Sequence, residues 1–126
     1  ELLDLLGSLD PGLIVLAGYL RKIPDSVIRT YSGRIINIHP SLLPKYGGKG
    51  YYGMNVHRAV IENREKVSGC TVHFVDEIYD NGQVIEQVEV PVEQNDTPES
   101  LAKKILSREH ELLPKTIQKL LTQTSQ

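Results

Sequence analysis

Apolar positions along this chain follow two rhythms: short unbroken runs of strand length, and spaced repeats of helical period. Leu13-Ile14-Val15-Leu16-Ala17 is unbroken, as in a parallel strand covered on both faces. Before it, residues 1–9 carry enough leucines for one face of a short helix, closed by Gly7 or by Asp10-Pro11-Gly12. After a loop at 18–23, Pro24 suits the first position of a helix over 24–31, and Gly33 suits its stop. Arg34-Ile35-Ile36-Asn37-Ile38 is then a second strand, rich in β-branched residues. Strand, helix and strand with short connections predict a right-handed parallel crossover.

A long loop follows from His39 to Met54, with Pro40, Pro44 and glycines at 47, 48, 50 and 53. Loops of this length inside compact domains are more often functional than accidental. Asn55 is placed to cap a helix over 56–63. Strands are expected at Thr71–Val75 and Gln83–Val92, the second with Val84, Val88, Val90 and Val92 in phase and Pro91 marking an edge or an early finish. Asn81-Gly82, in the acidic connection between them, predicts an antiparallel pair. Asp96-Thr97-Pro98-Glu99 opens a long last helix that turns Leu101, Ala102, Ile105, Leu106, Leu113, Ile117 and Leu120 inward. Pro114 must kink or divide that helix, and residues 122–126 are expected to fray. The pattern is that of an α/β protein without internal repeats, 126 residues fitting one domain. The chain begins at Glu1 without an initiator Met and enters a helix at once, as the middle of a longer protein does.

Composition narrows the functional classes. An apolar fraction of 40% and a charged fraction of 24% are those of an ordinary globular protein. A net charge of −2 leaves no basic excess to neutralise phosphates, so no nucleic-acid partner is expected. No apolar run approaches bilayer length, so no membrane partner is expected either. Cys70 is the only cysteine, which excludes an intrachain disulfide and points to a reducing, cytoplasmic compartment. Its place in Gly69-Cys70-Thr71-Val72-His73-Phe74-Val75 makes it a buried small hydrophobe.

Candidate chemistry is found by elimination and then by geometry. His39, His57, His73 and His110 share no metal-ligand spacing, and neither a GxSxG elbow nor a GxGxxG turn is present. His57 reads as a helix-surface residue, and His73 as one that satisfies strand or loop hydrogen bonds. Asn37 and His39 interrupt the second strand at i and i+2, so both side chains point to one face. They stand at the strand's C-terminal end, where open α/β sheets place ligands. Two readings are open: the pair satisfies local backbone groups, or it forms an amide–imidazole set able to stabilise an oxyanion. A carboxylate from residues 76–80 beside the imidazole would raise its pKa and fix its orientation. With no nucleophilic side chain, such a set suits direct acyl transfer between two bound substrates.

Three segments in order then carry a resemblance: 37–46 (Asn-Ile-His-Pro-Ser-Leu-Leu-Pro-Lys-Tyr), 68–77 (Ser-Gly-Cys-Thr-Val-His-Phe-Val-Asp-Glu) and 79–85 (Tyr-Asp-Asn-Gly-Gln-Val-Ile). Together with 16–21 and Glu109-His110, they closely resemble the phosphoribosylglycinamide formyltransferase family, over essentially the whole chain. The resemblance implies a Rossmann-like formyltransferase fold: a mostly parallel central sheet, a C-terminal antiparallel strand pair and a long last helix. It makes residues 1–126 the C-terminal catalytic and folate-binding part of a single formyltransferase domain, the N-terminal part of the sheet missing. It implies transfer of a formyl group from 10-formyltetrahydrofolate, without a metal, to glycinamide ribonucleotide in purine biosynthesis. His39 becomes the general acid and oxyanion partner, Asn37 an oxyanion donor and folate contact, and Asp80 the carboxylate that raises the imidazole pKa. Leu20, Arg21, Lys22 and Ile23 would line the pterin pocket, largely through backbone groups. Glu109 and Pro40 would contact the ribonucleotide.

Departures limit what carries over. Family members begin with a strand and a Gly/Ser/Asn-rich loop that holds the substrate phosphate at a helix N-terminus, and this chain contains no such loop, starting roughly two or three βα units late. Leu106 stands where many relatives carry a polar ribonucleotide contact, and the 47–53 loop is enlarged. Alternatives within the superfamily are formyltetrahydrofolate deformylase and methionyl-tRNA formyltransferase. Pro40 after His39 and the lack of Arg-Gly after Leu42-Leu43-Pro44 weigh against both. A truncated, non-catalytic folate-binding fragment is the alternative of another class. Missing first strands would expose an edge of the strand at 13–17 and favour self-association there.

Overall fold

The computed structural model describes residues 14–16, 25–31, 33–48, 50–75 and 83–124. Within them, strand β1 (Ile14–Leu16) leads to helix α1 (Asp25–Thr30) and strand β2 (Ile35–His39). Helix α2 (Met54–Glu62), strands β3 (Val67–Phe74) and β4 (Val84–Pro91) and helix α3 (Pro98–Thr124) complete the order. The strands form one sheet in the order β1-β2-β3-β4. β1 and β2 pair in parallel, as the strand–helix–strand pattern predicts. β3 and β4 pair antiparallel, as expected, and so do β2 and β3. The antiparallel share of the described sheet is therefore larger than the sequence suggested. β3 begins four residues before the expected Thr71, taking in 67–70 as its first half.

Alternation sorts the strand residues onto two faces. Ile36 and Ile38 of β2, Cys70 and Val72 of β3, and Val90 of β4 pack with Val56 and Val60 of α2 and Leu101, Ile105 and Leu112 of α3. Each such fully buried aliphatic contributes about 1.5–3 kcal/mol by leaving water, which makes this face the main core. On the other face, Leu16, Ile35 and Val75 pack with Val27, Ile28 and Tyr31 around α1. Beyond Ile35 that same face turns polar, and there the candidate residues lie.

Several local expectations are corrected. Asn55 does not cap α2; the cap is Gly53 at φ 56°, and Asn55 sits inside the first turn, its amide donating to the Gly50 carbonyl at 3.1 Å. A side chain at Gly53 would be strained by that backbone, which is why glycine closes the loop. At α3, Thr97 takes the cap: its hydroxyl accepts from the Ser100 N–H at 3.1 Å, while its own N–H donates to the Ser100 hydroxyl at 2.9 Å. Asp96 beside it serves as an anchor, 2.6 Å from Lys104, and hydrogen bonds from Lys104, Ser100 and the Glu93 N–H hold its carboxyl down at about 2. α3 runs through Pro114 without dividing. Leu106 is 51% exposed rather than turned inward, and the buried stripe continues through Leu112 and Thr116. The expected in-phase valines of β4 are interrupted by a bulge: Val72 faces Glu86 and His73 faces Val84, so Ile85 is the extra residue and Val84 turns outward.

Candidate active site

The antiparallel register of β2 and β3 builds a polar patch from neighbouring rungs. Asn37 lies opposite His73, and His39 opposite Thr71. One strand further, Gln87 lies opposite Thr71. All of these share the face left by the alternation of Ile36, Ile38, Cys70 and Val72 into the core. Asn37, His39, Thr71 and His73 are buried, so each must be held by hydrogen bonds.

Two carbonyls fix the two imidazoles. His73 Nδ1 lies 2.9 Å from the Phe74 carbonyl, which can only accept, so Nδ1 carries the proton and Nε2 is the acceptor. The Asn37 amide nitrogen, 3.3 Å from that Nε2, donates to it, which fixes which way the Asn37 amide faces. His39 Nε2 lies 2.7 Å from the Tyr46 carbonyl, so in the neutral ring Nε2 holds the proton and Nδ1 is the basic atom.

The loop after His39 is stapled to the sheet by Thr71 and Gln87. Thr71 Oγ1 donates to the Ser41 carbonyl at 2.7 Å and accepts from the Leu43 N–H at 3.1 Å. The Gln87 amide donates to the Leu43 carbonyl at 2.8 Å and to Thr71 Oγ1 at 3.1 Å. The Ser41 hydroxyl closes the turn on the Lys45 carbonyl at 2.5 Å. The Leu43–Pro44 bond within this loop is cis. Leu42 rests on Gly69, where a Cβ would come within 2.6 Å of Leu42 Cδ2 and 2.1 Å of the Val88 carbonyl.

His57 is not on the surface as expected. It is buried beside Val56 on α2, and its Nδ1 has no hydrogen-bond partner among the described residues. Burial first, and then the charge of His39, hold its pKa below the ordinary value. Among the described residues no group of His, Cys, Asp or Glu is arranged to hold a metal. No helix there is long and apolar enough to cross a membrane. Cys70 is buried, and burial, with the nearby Glu109 carboxylate, pushes its thiol up to about 12.

Glu109 lines a separate groove of about 750 Å³ with Ile38, Leu106, Leu113 and Ile117. The groove flanks the core side of β2, the face opposite His39. Burial pushes the Glu109 carboxyl up to about 7. Pro40 directly follows His39 and is half-buried. The structure thus brings Asn37 and His39 onto one face of β2 and places Glu109 in the groove that Ile38 lines. Leu20, Arg21, Lys22, Ile23 and Asp80 lie outside the described residues. Thr71, Gln87 and the Tyr46 carbonyl are the groups sequence reasoning missed. Thr71 and His73 at i and i+2 repeat the Asn37/His39 spacing on the next strand, which was a readable signal; a backbone carbonyl leaves none.

Comparison with known proteins agrees with this geometry. The formyl transferase family profile matches residues 1–117. The chain is 50% identical over 120 residues to "Phosphoribosylglycinamide formyltransferase, chloroplastic" of Vigna unguiculata, covering 95% of this chain and 38% of that protein. Its fold matches the crystal structure of phosphoribosylglycinamide formyltransferase from Bacillus halodurans with a TM-score of 0.87 at 40% identity, covering 98% of this chain and 61% of that one. A formyltetrahydrofolate deformylase from Pseudomonas syringae pv. tomato matches at a TM-score of 0.80 and 30% identity, over 90% of this chain and 37% of that one. The chain therefore spans less than two thirds of the length of each of these proteins. With a family profile running along nearly its whole length and a sheet that superposes on solved members, the chain belongs to the formyl transferase family.

Proposed function

We propose that this chain is the catalytic and folate-binding portion of a phosphoribosylglycinamide formyltransferase. It takes part in moving a formyl group from 10-formyltetrahydrofolate to the amine of glycinamide ribonucleotide, a step of purine biosynthesis. The observation that carries the reading is the rung pairing of Asn37 with His73 and His39 with Thr71, which aims an amide and an imidazole from one strand end. The names of the relatives support the acceptor, and the resemblance of the sequence motifs supports the folate donor.

In this reading the acceptor amine adds to the formyl carbon, and the bond from that carbon to the folate nitrogen then breaks. The formyl oxygen becomes an oxyanion in between, and Asn37 and protonated His39 donate to it. The Tyr46 carbonyl occupies Nε2, so His39 Nδ1 is the atom that delivers and takes the proton. The proton lost by the amine ends on the departing nitrogen, with His39 and Asp80 as carriers. Leu20, Arg21, Lys22 and Ile23 line the pterin pocket, and Glu109 and Pro40 contact the ribonucleotide. No metal has a role. Residues 1–126 act as one part of a single domain. The outer side of β1, unpaired among the described residues, supports self-association along that edge, which sedimentation at rising concentration tests. The lone buried thiol supports a reducing compartment, taken here as the cytoplasm; recovery of the protein from plastids alone would overturn that placement.

A formyl-transfer assay on the full-length protein tests the proposal. His39→Ala and Asp80→Ala are each expected to lower turnover by about a hundredfold or more. Unchanged turnover in both ends the reading. The likeness to a deformylase favours water as the alternative acceptor, and formate release without the ribonucleotide would select it.

A further inference from the structure

Tyr46 is one residue that touches both ends of the candidate site's scaffold. Its carbonyl accepts from His39 Nε2 at 2.7 Å. Its hydroxyl donates to Glu65 at 2.8 Å and accepts from the Asn63 amide at 3.0 Å. Asn63 and Glu65 are themselves tied to the end of α2, the Asn63 N–H donating to the Ala59 carbonyl and the Glu65 N–H to the Val60 carbonyl. Lys45 stands 3.6 Å from the same Glu65 carboxylate, and the Tyr51 ring meets the Tyr46 ring edge-on at 5.7 Å.

The backbone at Tyr46 is in the left-handed region, φ 54°, which a tyrosine adopts only at a cost of order 1–3 kcal/mol. Such a conformation persists where the surroundings over-determine it. Here the hydroxyl clamp on one side and the His39 bond on the other do so. With a conventional φ the Tyr46 carbonyl would point elsewhere and the imidazole would lose the acceptor that sets its tautomer.

We infer that Tyr46, held by Glu65 and Asn63, is a positioning residue for the His39 imidazole: the clamp aims the Tyr46 carbonyl, the carbonyl keeps the proton on Nε2, and Nδ1 is thereby presented to the reacting groups. This rests on the proposed role of His39 in formyl transfer. Loop stability alone does not require a tyrosine in this backbone conformation, since glycine fits there without strain.

Two measurements decide it. Nitrogen NMR on the labelled chain reads the His39 tautomer directly, without any reaction. The unsubstituted chain and Glu65→Gln, whose amide oxygen still accepts from the hydroxyl, are expected to hold the proton on Nε2. Tyr46→Phe and Glu65→Ala are expected to give a mixture of tautomers at unchanged melting temperature. In the full-length enzyme, Tyr46→Phe and Glu65→Ala are expected to lower kcat roughly ten- to a hundredfold, with KM for both substrates changed less than about twofold. Glu65→Gln restores kcat. If Tyr46→Phe does not fold, Glu65→Ala and Glu65→Gln decide alone. Retention of the Nε2 proton and of kcat in Glu65→Ala overturns the inference while His39→Ala still abolishes turnover. Unchanged turnover in His39→Ala overturns the functional reading instead, with the tautomer result left to judge the clamp.

Discussion

The Asn37 amide nitrogen lies 3.3 Å from His73 Nε2, across a rung of the β2–β3 ladder. His73 is fully buried, and its other nitrogen is committed to the Phe74 carbonyl. It therefore cannot change roles without breaking one bond or the other, and Asn37 inherits a fixed orientation from it.

His73→Phe keeps a ring of similar size but removes both hydrogen-bonding atoms. The Phe74 carbonyl loses its donor and the Asn37 amide loses its acceptor, which costs about 1–3 kcal/mol in urea unfolding. In the full-length enzyme the same change is expected to lower kcat by about tenfold or more, because the amide no longer faces one way.

Thr71 Oγ1 is the junction of three hydrogen bonds, to Ser41, Leu43 and Gln87. Thr71→Val preserves shape and leaves the buried Ser41 carbonyl and Leu43 N–H without this partner, so stability falls by about 2–3 kcal/mol. Thr71→Ser retains the hydroxyl and should lose less than about 1.5 kcal/mol, the cost of one buried methyl. Equal losses for Ser and Val would show that the hydroxyl is not the staple.

Gly69 is required by space rather than by backbone angle. Gly69→Ala places a methyl 2.1 Å from the Val88 carbonyl, a backbone atom that cannot step aside as a side chain could. A loss of about 1–3 kcal/mol follows from that crowding. Combining it with Leu42→Ala should not restore stability, because only the weaker of the two clashes is with Leu42.

Glu109 makes stability depend on pH in a stated direction. Burial raises its folded pKa to about 7 from the ordinary 4.5. Below 4.5 the carboxyl is neutral in both states and costs nothing. As pH rises from 4.5 through 7 the unfolded chain releases the proton while the folded chain keeps it, so stability falls. Above 7 the full penalty is present. Glu109→Gln removes this ionisation, so its gain in melting temperature over the unsubstituted chain should be larger at pH 8 than at pH 4. A gain independent of pH would show that the carboxyl titrates normally.

Much of the framework was legible because it rests on period and punctuation. Ile35, Ile36 and Ile38 announced β2, Gly33 ended the helix before it, and the paired polar residues on one face were visible as i and i+2. What escaped reading depended on chain segments meeting. The reason for glycine at position 69 is the closeness of Leu42 and Val88, which the sequence does not show. Leu106 follows the helical stripe in sequence, yet the stripe's buried centre passes through Leu112 and Thr116 instead. His57 looks like a surface residue by composition, and only packing beside the core reveals it as buried. The bulge at Ile85 belongs to the same class, since a valine series read at period two cannot disclose a skipped rung.

The anchors of the loop behind His39 have a consequence for the order in which the protein takes shape. Leu43 is held by Thr71, 28 residues later, and by Gln87, 44 residues later. A chain emerging from the ribosome therefore carries His39 long before it carries the strands that fasten the loop behind it. Until β4 has closed on β3, the loop lacks one of its three hydrogen bonds to the sheet, and the imidazole belongs to an unfinished surface. Competence for chemistry is thus a late event in folding, and a partly folded chain with an intact β1–β2 pair would be silent.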